Sequence, residues 1–355
     1  MTLPIIIRGI GVVGGFGSGI NALKHALETG KVSPKQVIID SVNGSIEIGG
    51  FPADLSPLTE FIPLRALRRI DHYTQMALLG SYLALKDADM IGNRPSPMGI
   101  IVATGYGSTC NRFDFADPLS ANSDICYSPT KFSNSVHNAA AAHISVFLKE
   151  YGPNLSINHF DMSIPSAFMT AFQWLEENRL DAVMVGGVDE YSKVMGCYGH
   201  FMKCPLFTGE GSAFFLLTRS EDAAPGYACI QGISMGSLKN GTIHFPQNAV
   251  AILNTDGYGT WDQCYKKYVP GNMHVASYVD YYGNLPVGMG FDIAIAAIGL
   301  KEKRLYASSG NIFNYFSPSK IISTNRHLNS GPICCFKLST TDEFGMVTLS
   351  PKSSS

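Results

Sequence analysis

Short apolar runs alternate with amphipathic stretches along the chain. Residues 3–8, 35–40, 98–104, 155–160, 181–188 and 209–218 have the length and the Val, Ile, Ala and Phe content of strands. Several have almost no polar face, as a strand covered on both sides requires. Between them, residues 20–28 set Ile20, Leu23 and Leu27 on one helical face, and 64–88, 134–151 and 165–178 carry helical periodicity. The alanines at 139–142 permit close helix approach. Residues 219–226 (RSEDAAPG) are polar and hold Pro and Gly, so they predict a linker. Beyond it the alternation resumes more weakly, with strands at 227–233, 249–254, 274–279 and 332–338 and a helix at 290–303. The stretch 340–355 ends in three serines and is read as a tail, frayed over 352–355. Strands alternating with helices predict a layered α/β architecture. Its halves are 1–218 and 227–351, joined by 219–226, with no visible sequence repeat between them.

Of 355 residues, 45% are apolar and only 15% charged, below the usual share of about 25%. A large core or an oligomer interface follows. The formal net charge is −2, and the absence of any Lys/Arg run argues against nucleic-acid binding. No uninterrupted apolar run reaches the length of about 18 residues that a membrane span needs, and the start of the chain does not read as a signal peptide. The cysteines (Cys110, Cys126, Cys197, Cys204, Cys229, Cys264, Cys334 and Cys335) form no CxxC. They are read as buried free thiols in a reducing cytoplasm. The histidines show no HxxxH or HExxH spacing, so no metal site is expected.

Gly9-Ile10-Gly11-Val12-Val13-Gly14 fits the GxGxxG outline of a dinucleotide fingerprint, with Asp40 closing the next strand. That chemistry needs a helix N-terminus close behind the second glycine, to hold pyrophosphate. Here the turn-rich loop runs on through Gly15, Gly17 and Gly19, so the helix starts too late. No cofactor is expected.

Several segments, in order over some two hundred residues, resemble the ketosynthase branch of the thiolase superfamily. Residues 7–17 (IRGIGVVGGFG) resemble its opening strand and glycine turn. Arg69-Ile70-Asp71 with Gln75-Met76-Ala77 resembles its Met-Asp…Gln-Ala helix, and 99–105 the strand before its dimer-facing loop. Residues 181–190 resemble its Asp-x-x-x-x-Gly-Gly-x-Glu strand, and Gly209-Glu210-Gly211-Ser212-Ala213 its Gly-Glu-Gly-Ala-Gly strand. Gly152-Pro153, a short strand and His159-Phe160-Asp161-Met162-Ser163 keep the frame of its nucleophile turn, Thr-Ala-Cys-Ala-Ser. The resemblance implies a thiolase-like αβαβα fold with a shortened C-terminal half.

It also implies lost chemistry. Condensation on this scaffold needs a thiolate and two imidazoles. Asp161 stands at the cysteine's place, Asp256 at the first histidine's (Asn254-Thr255-Asp256-Gly257) and Asn284 at the second's, where the preceding Lys is also lost. His327-Leu328-Asn329-Ser330-Gly331 aligns with the loop that donates a backbone N–H to the oxyanion. Asp161 is expected to cap the following helix, alone or with Ser163. Chains of this kind resemble chain length factors, the partners of active ketosynthases in type II polyketide synthases, and residues 128–138 look most like the aryl polyene type. The resemblance implies a catalytic ketosynthase as partner, contacted through the strand before Asp161, and an acyl carrier protein on the complex. Phe113, Phe115, Tyr127 and Phe132 are candidates for the shared tunnel wall, with His137 and His159 at the interface. Two other readings stay open: an autonomous acyltransferase, decarboxylase or hydrolase using Asp161 or Ser163, and a homodimeric acyl-binding module.

Overall fold

The computed structural model describes residues 3–41, 44–120, 128–204, 206–219, 225–239, 242–255, 259–309, 316–328 and 331–352. Its backbone is one large sheet built from two equivalent halves. The first contributes β1 (Ile5–Gly14), β2 (Gly99–Thr104), β3 (Asn154–Asn158), β4 (Ala182–Asp189) and β5 (Gly211–Arg219). The second contributes β6 (Cys229–Ser237), β7 (Val250–Leu253), β8 (His274–Ala276), β9 (Ile333–Ser339) and β10 (Glu343–Ser350). The spatial order is β3-β2-β4-β5-β1-β6-β10-β9-β7-β8. Read outward from the β1–β6 seam, both halves have the same strand order. In each, only the fifth strand (β5 or β10) runs antiparallel to the rest. A repeat that the residues do not betray is therefore plain in the topology.

The main helices are α1 (Ile20–Thr29), α2 (His72–Asp87), α3 (Thr109–Ser120), α4 (Pro129–Asn134), α5 (Ala139–Leu148), α6 (Ser163–Glu176), α7 (Lys193–Phe201), α8 (Gly259–Tyr268) and α9 (Met289–Glu302). Strand periodicity sorts the core into layers, because successive side chains face opposite ways. Ile100 and Val102 of β2 join α2 and α5 on one side, while Ile101 and Ala103 join α6 on the other. Cys335 and Val347 face α6 and α9, while Cys334, Phe336 and Met346 join Tyr265 of α8. The layers thus run α2/α5, first half-sheet, α6/α9, second half-sheet, α8, the thiolase-like αβαβα arrangement.

Three expectations are corrected. The helix expected over 64–88 is broken into a single turn, Leu64–Leu67, and α2. Asp71 accepts from the Thr74 amide and caps α2. The tail expected from 340 is largely β10, central in the second half, with Phe344, Met346, Val347 and Leu349 buried. The cysteines are not uniformly buried: of those described, only Cys334 and Cys335 are buried. Cys126 lies outside the described residues, as do 220–224 of the expected linker.

The GxGxxG run is inside β1, not in a phosphate loop. A Cβ at Gly11 would overlap the Gly80 carbonyl oxygen, and one at Gly9 the Ala84 carbonyl oxygen. These glycines let β1 lie against the α2 backbone.

The outer edges of the two halves differ. The β8 edge is covered: Ile321 bridges Val275, and the Ile322 amide donates to the Val275 carbonyl at 3.0 Å. The β3 edge pairs with no further strand among the described residues. Asn154, Leu155 and Asn158 are exposed there, whereas every residue of β2 is buried.

Gly11→Ala is expected to lower stability by about 1–3 kcal/mol through overpacking, measured by urea unfolding. NADH fluorescence titration should show no binding by either protein; tight binding would restore the dinucleotide reading.

Candidate functional site

The turn between β3 and α6 carries Asp161. Phe160 has φ +43°, a left-handed conformation that bulky residues seldom adopt. The chain thereby turns sharply through the 3-10 segment Phe160–Met162 into α6. Neither this segment nor α6 has a side-chain cap, so the expected capping role of Asp161 and Ser163 is corrected. Asp161 instead reaches the second half of the sheet. Its Oδ1 lies 3.0 Å from Lys337 Nζ of β9, and its Oδ2 accepts from Ser339 Oγ at 3.4 Å. Lys337 is only 4% exposed at its side chain, and it also donates to the Pro286 carbonyl at 3.1 Å. Among the described residues, no histidine bonds to Asp161.

Ser163 is buried, and its hydroxyl is already committed. It donates to the Thr104 carbonyl and accepts from the His159 amide, each at 2.8 Å. A serine so tied joins α6 to β2. His159 is exposed, its ring 3.3 Å from Glu343 and 3.1 Å from Ser166 Oγ.

Asp161 and Asn284 line one cavity of about 210 Å³, with Tyr106, Cys204, Pro286 and Thr340. Two of the three aligned positions are thus brought together; the third, Asp256, lies outside the described residues. The stretch aligned with the oxyanion loop is not here. His327 pairs with Arg304 in a small separate sheet, at the amino ends of β7–β9. The turn that meets Asp161 is the one joining β9 to β10, which supplies Ser339.

Behind the cavity lies a buried polar cluster that motif comparison missed. Asn254 Nδ2 donates to Tyr282 Oη at 2.9 Å and to Asp292 Oδ2 at 2.8 Å, and Tyr282 Oη donates to Asp292 Oδ1 at 2.8 Å. Burial pushes Asp292 up to about 7, against the hydrogen bonds from Tyr282 and Asn254 and the nearby Lys337 charge. On the first half, Asp189 accepts from Thr104 Oγ1 and from the Gly105 and Tyr106 amides, and Glu190 from the Cys110 amide. Burial raises these carboxyls to about 6 and about 7. They hold the chain where β2 leaves the sheet toward α3.

The tunnel-wall candidates lie on that excursion. Phe113 and Phe115 are on α3 and Phe132 on α4; Phe113 and Phe132 are exposed, and the Phe115 and Phe132 rings are 5.4 Å apart. Tyr127 lies outside the described residues. His137 is half-buried before α5, and burial, with Arg112 nearby, lowers its pKa.

The family model "Beta-ketoacyl synthase, N-terminal domain" matches residues 18–239, more than half of the chain. The chain belongs to the beta-ketoacyl synthase family. Its similarity to 3-oxoacyl-acyl-carrier-protein synthase 2 of Coxiella burnetii is 24% identity over 198 residues, 55% of this chain and 48% of that protein. The chain spans about half the length of the curated relatives it matches. In fold it resembles the ishigamide ketosynthase/chain length factor (TM-score 0.83, 12% identity, 99% of this chain and 100% of that one). It also resembles the ketosynthase ApeO in complex with its chain length factor ApeC from Xenorhabdus doucetiae (TM-score 0.77, 15% identity, 98% of each chain). Within this beta-ketoacyl synthase fold, the elbow between β3 and α6 is held by an ion pair rather than occupied by a thiol.

Asp161→Ala leaves a nearly buried ammonium with one carbonyl partner. It is expected to cost roughly 2 kcal/mol, less than for a fully buried pair because Asp161 is partly exposed. Adding Lys337→Met should recover most of that loss in urea unfolding; equal losses in single and double variants would disprove the coupling.

Asp189, Glu190 and Asp292 hold their protons more tightly folded than unfolded. The stability they contribute is complete below about pH 4 and is lost as the pH rises through 7. The melting temperature of the wild type relative to Asp292→Asn is therefore expected to fall from about pH 5 to about pH 8, read by calorimetry at constant ionic strength.

Proposed function

We propose that this chain is a non-catalytic ketosynthase-like subunit, a chain length factor of the aryl polyene type. It pairs with an active β-ketoacyl synthase and helps to set the length of the chain carried by an acyl carrier protein. The observation that carries the reading is the elbow. Asp161 sits where condensation chemistry requires a thiolate, and its charge is spent on Lys337. An acyl group on a carboxylate is a labile mixed anhydride, and the nearest hydroxyl in the turn, Ser163, is tied on both sides.

The bare β3 edge supports a partner. An unpaired strand edge is a template for a strand from another chain, and Leu155, Tyr151, Val146 and Phe160 are exposed around it. The ketosynthase/chain length factor pairs among the fold relatives fit the same reading. Phe113, Phe115 and Phe132 then face the partner's acyl tunnel and limit its depth, and His137 and His159 flank the contact.

One co-expression experiment tests this. With an aryl polyene ketosynthase, native mass spectrometry is expected to show a one-to-one heterodimer, and Phe113→Ala or Phe115→Ala to lengthen the product by at least one extension unit. The isolated chain, incubated with acyl carrier thioesters, is expected to remain unmodified. An acyl adduct on Asp161, Ser163 or Cys204 would sink the non-catalytic reading, and unchanged product lengths the tunnel-wall role.

A further inference from the structure

A second cavity lies at the other end of the fold. Asp161, Asn254 and Lys337 lie at or just beyond the carboxyl ends of their strands. By contrast, a cavity of about 810 Å³ opens at the amino ends of β7, β8 and β9, within the size range of small-molecule sites. Its walls come from the segments leading into those strands, including Phe245, Asn248 and Met273, and from Leu305 and Arg326 of the small second sheet.

Arg326 is the one Lys, Arg, Asp or Glu that lines it among the described residues. Arg326, His327 and His274 face it, and no Asp or Glu does among the described residues. Arg326 is partly buried, and its side chain makes no hydrogen bond, ion pair or ring contact among the described residues, whereas Arg94, Arg179, Arg219 and Arg304 each pair with a carboxylate. A guanidinium drawn partly out of water with nothing to bind leaves its fork of donors unspent, and that fork matches an oxyanion. The rest of the lining is mixed: Gln247, Asn248 and Asn272 lie beside the apolar Phe245, Met273, Leu305 and Leu328.

We propose that this cavity binds a small amphiphile, an oxyanion headgroup held by Arg326 with His327 beside it and a short apolar body against Leu305 and Leu328. Carboxylates and phosphate monoesters share this chemistry. The site does not include Asp161.

Thermal shift and calorimetric titration of the full chain with octanoate, octyl phosphate and 1-octanol test it. Octanoate or octyl phosphate is expected to raise the melting temperature saturably, and whichever binds more tightly identifies the headgroup. The neutral alcohol is expected to produce no shift. Arg326→Gln should weaken binding about tenfold or more, His327→Gln by less, and the exposed Arg65→Gln not at all. Arg326→Lys, which keeps the charge but loses the fork, gives the same comparison should Arg326→Gln not fold. Failure of both anions to bind, equal binding of 1-octanol, or undiminished binding by the Arg326 variants would overturn the proposal.

Discussion

An ammonium inside a sheet is the constraint around which the elbow is arranged. Lys337 lies in β9, where every residue is buried. Stripping such a charge of water costs several kcal/mol unless oxygen atoms replace the lost hydration. Two do, from different elements: the Asp161 carboxylate at the end of the first half-sheet, and the Pro286 carbonyl just before α9. The pair can form only because both halves turn their strand carboxyl ends to the same side. The Asp161 carboxylate thus has a structural duty, and its chemistry is limited by the cation it must neutralise.

The internal repeat makes the asymmetries informative. Equivalent edges, β3 and β8, close the two halves, and only β8 carries its own cover. A bare, partly apolar edge is an aggregation hazard for a lone chain, and among the described residues this fold protects one edge and leaves its counterpart open. The repeat also separates two cavities: one at the carboxyl ends, small and lined by Asp161, the other at the amino ends, larger and lined by Arg326.

The first half was the more legible from sequence. Its strands are apolar runs with tight glycine punctuation, and the β3–α6 turn keeps a recognisable frame around Asp161. Boundaries failed where a local interaction overrode periodicity. Asp71 starts α2 anew inside a continuous helical pattern, and the serine-rich end drew attention away from the alternating residues of β10. The partner of Asp161 is remote in sequence and lies in no motif. Its one signal was a lysine inside the apolar run Ile333–Ser339, since an unpaired buried ammonium is prohibitive and a carboxylate had to be near. The Asn254–Tyr282–Asp292 cluster joins three separate segments and leaves no local signal at all.

The elbow and the open edge are mechanically linked. β3 is a short strand with exposed residues, so burial of its own side chains does little to fix it. Its position comes from the parallel pairing with β2 on one side and from what anchors its two ends. At its start, Asn154 Nδ2 donates to the Ala141 carbonyl of α5. Just beyond its end, Ser163 is bonded to β2 and Asp161 is pinned to β9. Loosening the ion pair would therefore free the exit of a strand whose register matters, since a slip of one residue presents the wrong face. Asp161 thereby helps to define the open edge.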